Sequence, residues 1–235
     1  MAIKIGNMDE LLKFRNPKWK TSITKLEPNR IITRGYPQED LIGNLSFSEM
    51  VYLLIKGNKP SKSESKMLES VLVSFCDHGI TPPSTQVARL MASTGSPLNT
   101  CVSGGIMAFG KHHAGALEQC MKLLQESVEN SLNRNSMEES DETTIESPKN
   151  IRIKSSNDID DMAEQIVDKY LGANLKIPGY GHRYHKEDPR APKLIKLARK
   201  FGFCGVHTQL ALSIQKILIE RKNILLNVDG ANASI

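Results

Sequence analysis

Apolar side chains recur at the spacing of an amphipathic helix along most of this 235-residue chain. Met162, Ile166 and Tyr170, for example, stand four residues apart and so share one face of a helix. The alternation of apolar and polar residues that marks a half-buried strand is almost absent, apart from short stretches near Ile31 and Ile151. The sequence therefore predicts an all-α fold.

Local capping signals predict where several of these helices begin and end. Ser46 is followed three residues later by Glu49, which is the pattern of a capping box, and the apolar run after it ends at Gly57. Further helices are predicted over about 63–76, 84–94, 98–109 and 116–128. Two more are predicted to end at Gly172 and at Gly202, and a last one to include Leu210 to Leu218.

One stretch departs from the helical pattern. Residues 129–160 are rich in Ser, Asn and Glu and poor in large apolar side chains. Such a segment buries too little apolar surface to offset the entropy that is lost on ordering. We therefore predict a mobile loop or insertion over 130–150, and we favour a solvated loop over a regulatory or partner-binding segment.

Composition excludes several classes of protein. Hydrophobic residues make up 39% and charged residues 24% of the chain, as in globular rather than disordered or fibrous proteins. No apolar run approaches the length of a membrane span, and the charged N-terminal sequence has no signal-peptide core. The 4 cysteines include no CxxC pair, so neither a zinc knuckle nor a disulfide framework is predicted, and a cytoplasmic location is expected.

The charge balance is mildly basic, with a formal net charge of +5. The lysines are scattered and no Lys/Arg-rich run stands out. This distribution disfavours nucleic acid as a partner and suits a small polyanionic ligand.

The most informative polar residues lie in a glycine-rich turn and the helix after it. Pro178, Gly179 and Gly181 form a turn that brings backbone close to a ligand and directs the imidazole of His182. Arg190 follows at the start of the next helix, where a guanidinium can hold a carboxylate through two parallel hydrogen bonds. This pair suits an acidic substrate with an oxygen to be protonated or deprotonated, and the alternative is that both residues only cap helices.

Three other turns carry candidate residues, each of which also fits a structural role. His78 stands at a predicted helix end, and His113 lies between small residues before a helix whose unpaired N–H groups favour developing negative charge. Asp229 follows an apolar stretch, and burial would raise its pKa enough to take a proton from carbon, although an Asp before Gly is usually a plain turn. The adjacent His112 and His113 diverge on a helix and no HxxxH or HExxH spacing occurs, so no metal site is predicted.

Taken in order, these motifs resemble the citrate synthase superfamily. The resemblance begins with TRGYPQEDLIGNLSFSEMVYLLIKGNKPS, continues through DHG and GKHHAGALE, and includes PGYGHRYHKEDPRAP and NVD. It implies a helical homodimer whose subunits have a large and a small domain with the active site between them. Residues 1–115 with 225–235 would form the large domain and 116–224 the small one. The family continues beyond NVD with arginines for the substrate carboxylates, so we expect part of the large domain to be missing from a chain that ends at Ile235.

The resemblance also implies a role for each candidate residue. Asp229 matches the base that takes a proton from the methyl group of acetyl-CoA. His113, with His112 as the adjacent alternative, matches the donor to the thioester oxygen, and His182 the residue that protonates the oxaloacetate carbonyl. The coenzyme A thioester enters as a substrate rather than as a tightly bound cofactor. Contacts with the substrate acid are implied for His78 and Arg190, and contacts with coenzyme A for Gly179, Tyr180 and Gly181.

Three departures from most citrate synthases bear on the direction of the reaction. This chain has Gly79 after the Asp-His pair where they commonly have Glu, and Gly230 after NVD where they commonly have an aromatic residue. It also has KHH where they have Pro-Leu-His. These features look more like stand-alone citryl-CoA lyases and the lyase module of ATP-citrate lyase. We therefore favour a citryl-CoA lyase over a citrate synthase or 2-methylcitrate synthase. A catalytically silent binding or assembly subunit is disfavoured because the three main catalytic candidates are all present.

Overall fold

A computed structural model describes residues 21–138, 156–182 and 185–235. Most of these residues are helical, which confirms the all-α class. The strands are β1 (Thr24–Glu27), β2 (Arg30–Thr33) and β3 (Tyr36–Pro37). The helices are α1 (Gln38–Leu41), α2 (Phe47–Lys56), α3 (Lys62–Phe75), α4 (Pro83–Ser93), α5 (Leu98–Met107), α6 (Gly115–Glu138), α7 (Ser156–Gly172), α8 (Arg190–Phe201), α9 (Val206–Lys222) and α10 (Val228–Ser234).

Contacts divide the chain into two compact units, with the boundary between Ser65 and Lys66. The first unit contains the small sheet, whose strands pair antiparallel in the order β1-β2-β3. The strand predicted near Ile31 is confirmed as β2, whereas the one near Ile151 lies outside the described residues.

The capping box predicted at the start of α2 is confirmed. The Ser46 hydroxyl accepts a hydrogen bond from the backbone N–H of Glu49 at 3.3 Å, and the Glu49 carboxylate accepts one from the backbone N–H of Ser46 at 2.8 Å. The helix ends at Gly57, which adopts the left-handed conformation that glycine tolerates best.

The second unit is built around one apolar core. Helices α6, α7, α8, α9 and α10 each contribute buried side chains to it, and Met67 of α3 belongs to the same cluster. The fully buried side chains include Leu124 of α6, Val167 of α7, and Leu210 and Ile214 of α9. Helix α10 packs against α6, α8 and α9, so the last residues of the chain are part of this core. The predicted division into 1–115 with 225–235 and 116–224 stays a prediction.

Helix α6 is longer than the sequence predicted. It runs through Glu138, so the first residues of the segment predicted as a loop over 130–150 are helical, and that part of the prediction was wrong. The physical reason is that Leu132 still packs against the core, so the amphipathic pattern continues beyond Val128. Residues 139–150 lie outside the described residues.

Helices α4 and α5 pack against each other and bury few side chains. Gly104 of α5 permits this packing, because a Cβ there would overlap the thioether of Met91 on α4. No helix within the described ranges is both long enough and apolar enough to cross a membrane.

The core makes a direct prediction about stability. Replacing the fully buried Ile214 by Ala removes apolar contacts and leaves a cavity, so we expect the free energy of unfolding to fall by about 2–5 kcal/mol. Ile219 lies on the same helix but is 40% exposed, and Ile219→Ala should cost about 1 kcal/mol or less. Urea denaturation of both variants measures the difference, and equal losses would contradict this assignment of the core.

Candidate active site

The turn that contains His182 is fastened by hydrogen bonds to the segment before α10. The backbone N–H of Gly181 donates to the carbonyl oxygen of Leu225 at 2.8 Å, and that of Asn227 donates to the carbonyl oxygen of Gly179 at 3.0 Å. The side-chain amide of Asn227 also donates to the carbonyl oxygen of Gly181 at 2.7 Å. These bonds hold the turn that precedes His182 against Asn227, the N-cap residue of α10.

Gly179 is required here because the two chain segments nearly touch. A Cβ on Gly179 would lie 2.7 Å from Cα of Gly230 and 2.8 Å from Sγ of Cys120, so no larger residue fits. Gly179 also has a φ of +85°, which favours glycine in its own right. The Cys120 thiol beneath this contact is buried, and burial first, then the charge of Asp229, raises its pKa to about 12.

The three residues predicted to contact coenzyme A are engaged in the protein's own packing. The hydroxyl of the buried Tyr180 donates to the carbonyl oxygen of Ala211 at 2.9 Å. Backbone groups of Gly179 and Gly181 hold the segment before α10 through the bonds described above. The structure therefore explains these residues by the close approach of two backbones, and their contact with coenzyme A stays a prediction.

Asp229 is a half-buried carboxyl in the first turn of α10. The helix begins at Asn227, whose side chain accepts a hydrogen bond from the backbone N–H of Gly230 at 3.1 Å. Burial raises the pKa of Asp229, and the effect outweighs the opposing charge of Arg190. A carboxyl with a raised pKa is a stronger base toward a weakly acidic C–H bond than an ordinary surface carboxylate.

His113 is held in one tautomer by the start of α4. The backbone N–H of Ser84 donates to Nε2 of His113 at 3.3 Å, and the Ser84 hydroxyl lies 2.9 Å from the same nitrogen. Because Nε2 accepts this bond, the proton of the neutral imidazole lies on Nδ1. His113 can therefore donate a hydrogen bond through Nδ1, and it lies close enough to Asp229 for a charged His113 ring to lower the pKa of that carboxyl. The neighbouring His112 is exposed.

His182 lies beside two other histidines. Its ring contacts that of His78 edge to face at 5.5 Å and that of His185 at 4.5 Å. Nδ1 of His182 accepts the backbone N–H of His185 at 3.2 Å, so the proton of the neutral ring lies on Nε2. Burial, followed by the neighbouring His185, lowers the pKa of His182 although Asp188 opposes this. The structure thus brings His78 and His182 together and favours a neutral imidazole at His182.

Arg190 is bound by a carboxylate of this chain, Asp188. The Nε and Nη2 groups of Arg190 each donate to Asp188 at 2.9 Å, in the two-pronged arrangement that the sequence predicted for a ligand. Nη1 donates to the carbonyl oxygen of Ser74 at 3.4 Å. This leaves the edge of the guanidinium formed by Nη1 and Nη2 as the one that can take a second carboxylate. Whether Arg190 binds the substrate acid stays a prediction.

Asp188 is the residue that sequence reasoning missed. It stands in the same DPR string as Arg190, and its exposed fraction is only 2%. The sequence did contain a signal for this pair, because an acidic residue stands two positions before an arginine at a helix start. At this spacing the two side chains can pair across Pro189. No group of three or more His, Cys, Asp or Glu side chains in the described part of the chain is arranged to hold a metal ion.

Together these residues supply the groups that proton transfer at carbon and oxygen would need. Asp229 supplies a carboxyl whose pKa is raised, and His113 supplies an N–H donor. His182 supplies an imidazole whose lowered pKa favours the neutral form, and Asp188 and Arg190 act on both His182 and Asp229. A base on carbon acting with a donor on oxygen is the combination that forms an enol from a thioester.

The sequence model of the family described as "Citrate synthase, C-terminal domain" matches residues 56–235. The chain therefore belongs to the citrate synthase family, as its motifs predicted.

Individual relatives agree with this membership. The citrate synthase of Heyndrickxia coagulans is 29% identical over 192 residues, which are 79% of this chain and 43% of that enzyme. The solved structure of citryl-CoA lyase from Hydrogenobacter thermophilus is 39% identical with a TM-score of 0.72, covering 92% of this chain and 74% of that one. ATP citrate lyase from Methanothrix soehngenii, solved with citrate and coenzyme A, has a TM-score of 0.72 at 17% identity and covers 100% of this chain and 34% of that one, which shows a shared fold. The chain spans less than half the length of the curated relatives it matches.

The arrangement of the histidines predicts the titration of His182. We expect its imidazole to titrate below the ordinary value of 6.5 and to carry its neutral-state proton on Nε2. His185→Gln removes a neighbouring positive charge, so the pKa of His182 should rise toward the ordinary value. His207→Gln, in α9, removes a histidine that is not among these neighbours and serves as the control. Nitrogen-detected NMR titration reports both the pKa and the tautomer, and a proton on Nδ1 would contradict the geometry.

Proposed function

We propose that this site breaks and forms the carbon–carbon bond between acetyl-CoA and oxaloacetate through citryl-CoA, and that it acts as a citryl-CoA lyase. The observation that carries the proposal is the pairing of Asp229, whose pKa is raised, with His113 in the tautomer that donates through Nδ1. A thioester α-proton is only weakly acidic, so its removal needs both groups at once.

In the direction of condensation, Asp229 takes a proton from the methyl group while Nδ1–H of His113 stabilises the developing enol oxygen. The enol carbon attacks the carbonyl carbon of oxaloacetate, and the doubly protonated ring of His182 gives its Nε2 proton to the oxygen that becomes the hydroxyl of citryl-CoA, which leaves a neutral ring with its proton on Nδ1. In the neutral tautomer described above, Nε2–H can orient the oxaloacetate carbonyl as a hydrogen-bond donor, and full transfer requires Nδ1 to exchange its bond from the His185 backbone for a proton.

Cleavage is the same sequence in reverse. Nε2 of His182 accepts the hydroxyl proton, the carbon–carbon bond breaks, and a protonated Asp229 returns its proton to the enol carbon. This step requires Nε2 to begin without a proton, so the neutral ring must carry its proton on Nδ1 and release the bond from the His185 backbone. The raised pKa of Asp229 suits both directions, because the same carboxyl takes the proton from carbon in condensation and returns it in cleavage.

Sequence similarity and two single residues support the assignment as a citryl-CoA lyase. The citryl-CoA lyase of Hydrogenobacter thermophilus is 39% identical to this chain, and Gly79 and Gly230 are the departures that look lyase-like. The second candidate is a citrate synthase, the acyltransferase of the tricarboxylic acid cycle, or a 2-methylcitrate synthase, because curated relatives carry these names. A catalytically silent subunit is disfavoured because His113, His182 and Asp229 are all present.

The substrates divide between the two sides of the site. We assign the four-carbon acid to His78, His182 and the Nη1–Nη2 edge of Arg190, and the coenzyme A thioester to the side of His113 and to the turn Gly179–Tyr180–Gly181. A guanidinium offers a carboxylate two parallel donors, which a histidine or lysine cannot do. We also place the protein in the cytoplasm, since all 4 of its cysteines are free.

The protein is further proposed to be a homodimer through α4 and α5. Leu98, Val102 and Ile106 stand four residues apart on α5, and each is at least half exposed. Leu90 of α4 and Phe109 after α5 are exposed as well. A contiguous apolar surface of this kind marks a protein interface, and a two-fold axis lets one helix pair cover its own copy.

The lyase proposal is tested by two assays on the purified protein. Citryl-CoA should yield acetyl-CoA and oxaloacetate without free citrate, detected by coupling oxaloacetate to malate dehydrogenase. Acetyl-CoA with oxaloacetate yielding citrate and free coenzyme A would identify a synthase instead. Asp229→Asn should lose exchange of the acetyl-CoA methyl protons with D₂O by about 100-fold or more while still binding coenzyme A. Exchange that persisted in this variant would rule out Asp229 as the base.

The homodimer is tested with two matched substitutions. Ile106 on α5 and Leu175 after α7 are each 60% exposed. Ile106→Glu places a charge in the proposed interface and should convert the dimer to a monomer in light scattering at micromolar concentration. Leu175→Glu should leave the mass unchanged. A wild-type protein with a monomeric mass, or an Ile106→Glu variant that stays dimeric, would contradict this interface.

A further inference from the structure

Asp188 is a buried carboxylate with four donors. Its exposed fraction is 2%, and it accepts hydrogen bonds from Nε, Nη2 and the backbone N–H of Arg190 and from the backbone N–H of Val228. Burial alone would raise its pKa, but the bonds from the Arg190 side chain and backbone and from Val228 together hold the pKa below its usual range. A buried charge with every one of these bonds in place is fixed in position, because losing any of them is costly.

One oxygen of Asp188 joins two parts of the site. Oδ2 accepts from Nη2 of Arg190 at 2.9 Å and from the backbone N–H of Val228 at 3.1 Å. Val228 is the first residue of α10, and Asp229 follows it directly. The guanidinium and the helix that carries the proposed base therefore share a single anchoring atom.

The other oxygen of Asp188 fixes the plane of the guanidinium. Oδ1 accepts from Nε of Arg190 at 2.9 Å and from its backbone N–H at 3.1 Å. Together with the bond from Nη2 to Oδ2, this occupies the side edge of the guanidinium. These bonds therefore also fix the orientation of the other edge of the guanidinium, which is formed by Nη1 and Nη2.

We propose that Asp188 is a positioning residue that sets the distance and orientation between Arg190 and the start of α10. This inference rests on the proposed function, in which Arg190 binds the four-carbon acid and Asp229 transfers the proton at carbon. Asp188 touches neither substrate. It holds the acid-binding cation and the proton-transferring carboxyl in one rigid arrangement, so that the two reacting carbons meet.

The charge of Asp188 also affects the pKa of Asp229, an effect that a purely structural role for Asp188 would not have. Burial is the largest of the effects on the pKa of Asp229 and raises it. The charge of Arg190 lowers this pKa, and the charge of Asp188 raises it. The titratable and charged groups around Asp229 are Arg190, Asp188, His78, His113 and Cys120. A neutral residue at position 188 removes one negative neighbour and leaves the positive charge of Arg190 uncompensated, so the pKa of Asp229 must fall.

The first experiment replaces Asp188 by Asn in the purified protein. Asn keeps the size of the side chain but presents N–H groups to Nη2 or Val228 where an acceptor is needed. We expect calorimetric affinity for oxaloacetate to fall about tenfold or more, and the acidic limb of the methyl-proton exchange rate to move to lower pH. Asp168→Asn is the matched control, because it removes another arginine-bound carboxylate, that of the exposed pair with Arg221, and should change neither quantity.

The second experiment cuts only the bond to α10. Val228→Pro deletes the N–H that donates to Oδ2, at the first helical position, where proline is well tolerated. Asn227 before it is already extended, as a residue before proline prefers. We expect exchange at carbon to fall about tenfold while oxaloacetate affinity stays within twofold of the wild type. Val206→Pro makes the same change at the first residue of α9, and should leave both unchanged.

The outcomes separate this inference from the proposed function. A wild-type protein with neither methyl-proton exchange nor oxaloacetate binding would overturn the proposed function itself. The role of Asp188 alone would be overturned by a different result. In that case the wild type shows both activities, and the folded Asp188→Asn and Val228→Pro variants keep the wild-type affinity, exchange rate and pH profile. If Asp188→Asn does not fold, Val228→Pro decides, because it leaves the carboxylate and Arg190 intact and a wild-type exchange rate in it refutes the positioning role.

Discussion

The close approach of Gly179 and Gly230 is the contact on which the candidate site depends. A single Cβ on Gly179 would fall 2.7 Å from Cα of Gly230, so the turn and the helix can meet only because both residues lack a side chain. That contact lets the backbone bonds between the turn and the segment before α10 form, and these bonds hold the turn that precedes His182 against the start of the helix that carries Asp229. The chemistry of the site is thus built on a packing constraint deep in the core of the second unit.

Around that contact, each catalytic candidate is tuned by a different neighbour. His113 receives its tautomer from a backbone N–H at the start of a helix, whereas His182 receives the opposite tautomer from the His185 backbone. Asp229 owes its raised pKa mainly to burial. Because these causes are separate, the hydrogen bonds place the single proton of the neutral ring on Nδ1 in His113 and on Nε2 in His182, beside one carboxyl of raised pKa. This set can add a proton at one atom while removing one at another.

The sequence predicted the helices well where a pattern had one physical meaning. The capping box at Ser46 is such a case, since Ser and Glu at that spacing satisfy each other's backbone N–H groups. The sequence leaves the answer open where one pattern serves two purposes. The glycines around Tyr180 allow close approach of backbone, but the sequence does not say whether a ligand or another segment approaches. Asp188 was missed because its burial and its bond to Val228, 40 residues away, arise only in the folded chain.

The thiol of Cys120 has a consequence for oxidative chemistry. Peroxides and alkylating reagents attack thiolates, and burial together with the charge of Asp229 raises the pKa of this thiol to about 12. The sulfur closest to the Gly179 and Gly230 contact is therefore held in its unreactive form at physiological pH. Cys76, two residues before His78, is exposed, whereas Cys101 and Cys120 are buried and Cys204 is partly buried. We therefore expect oxidation first at Cys76, beside a candidate site residue, while the contact between Gly179 and Gly230 stays intact.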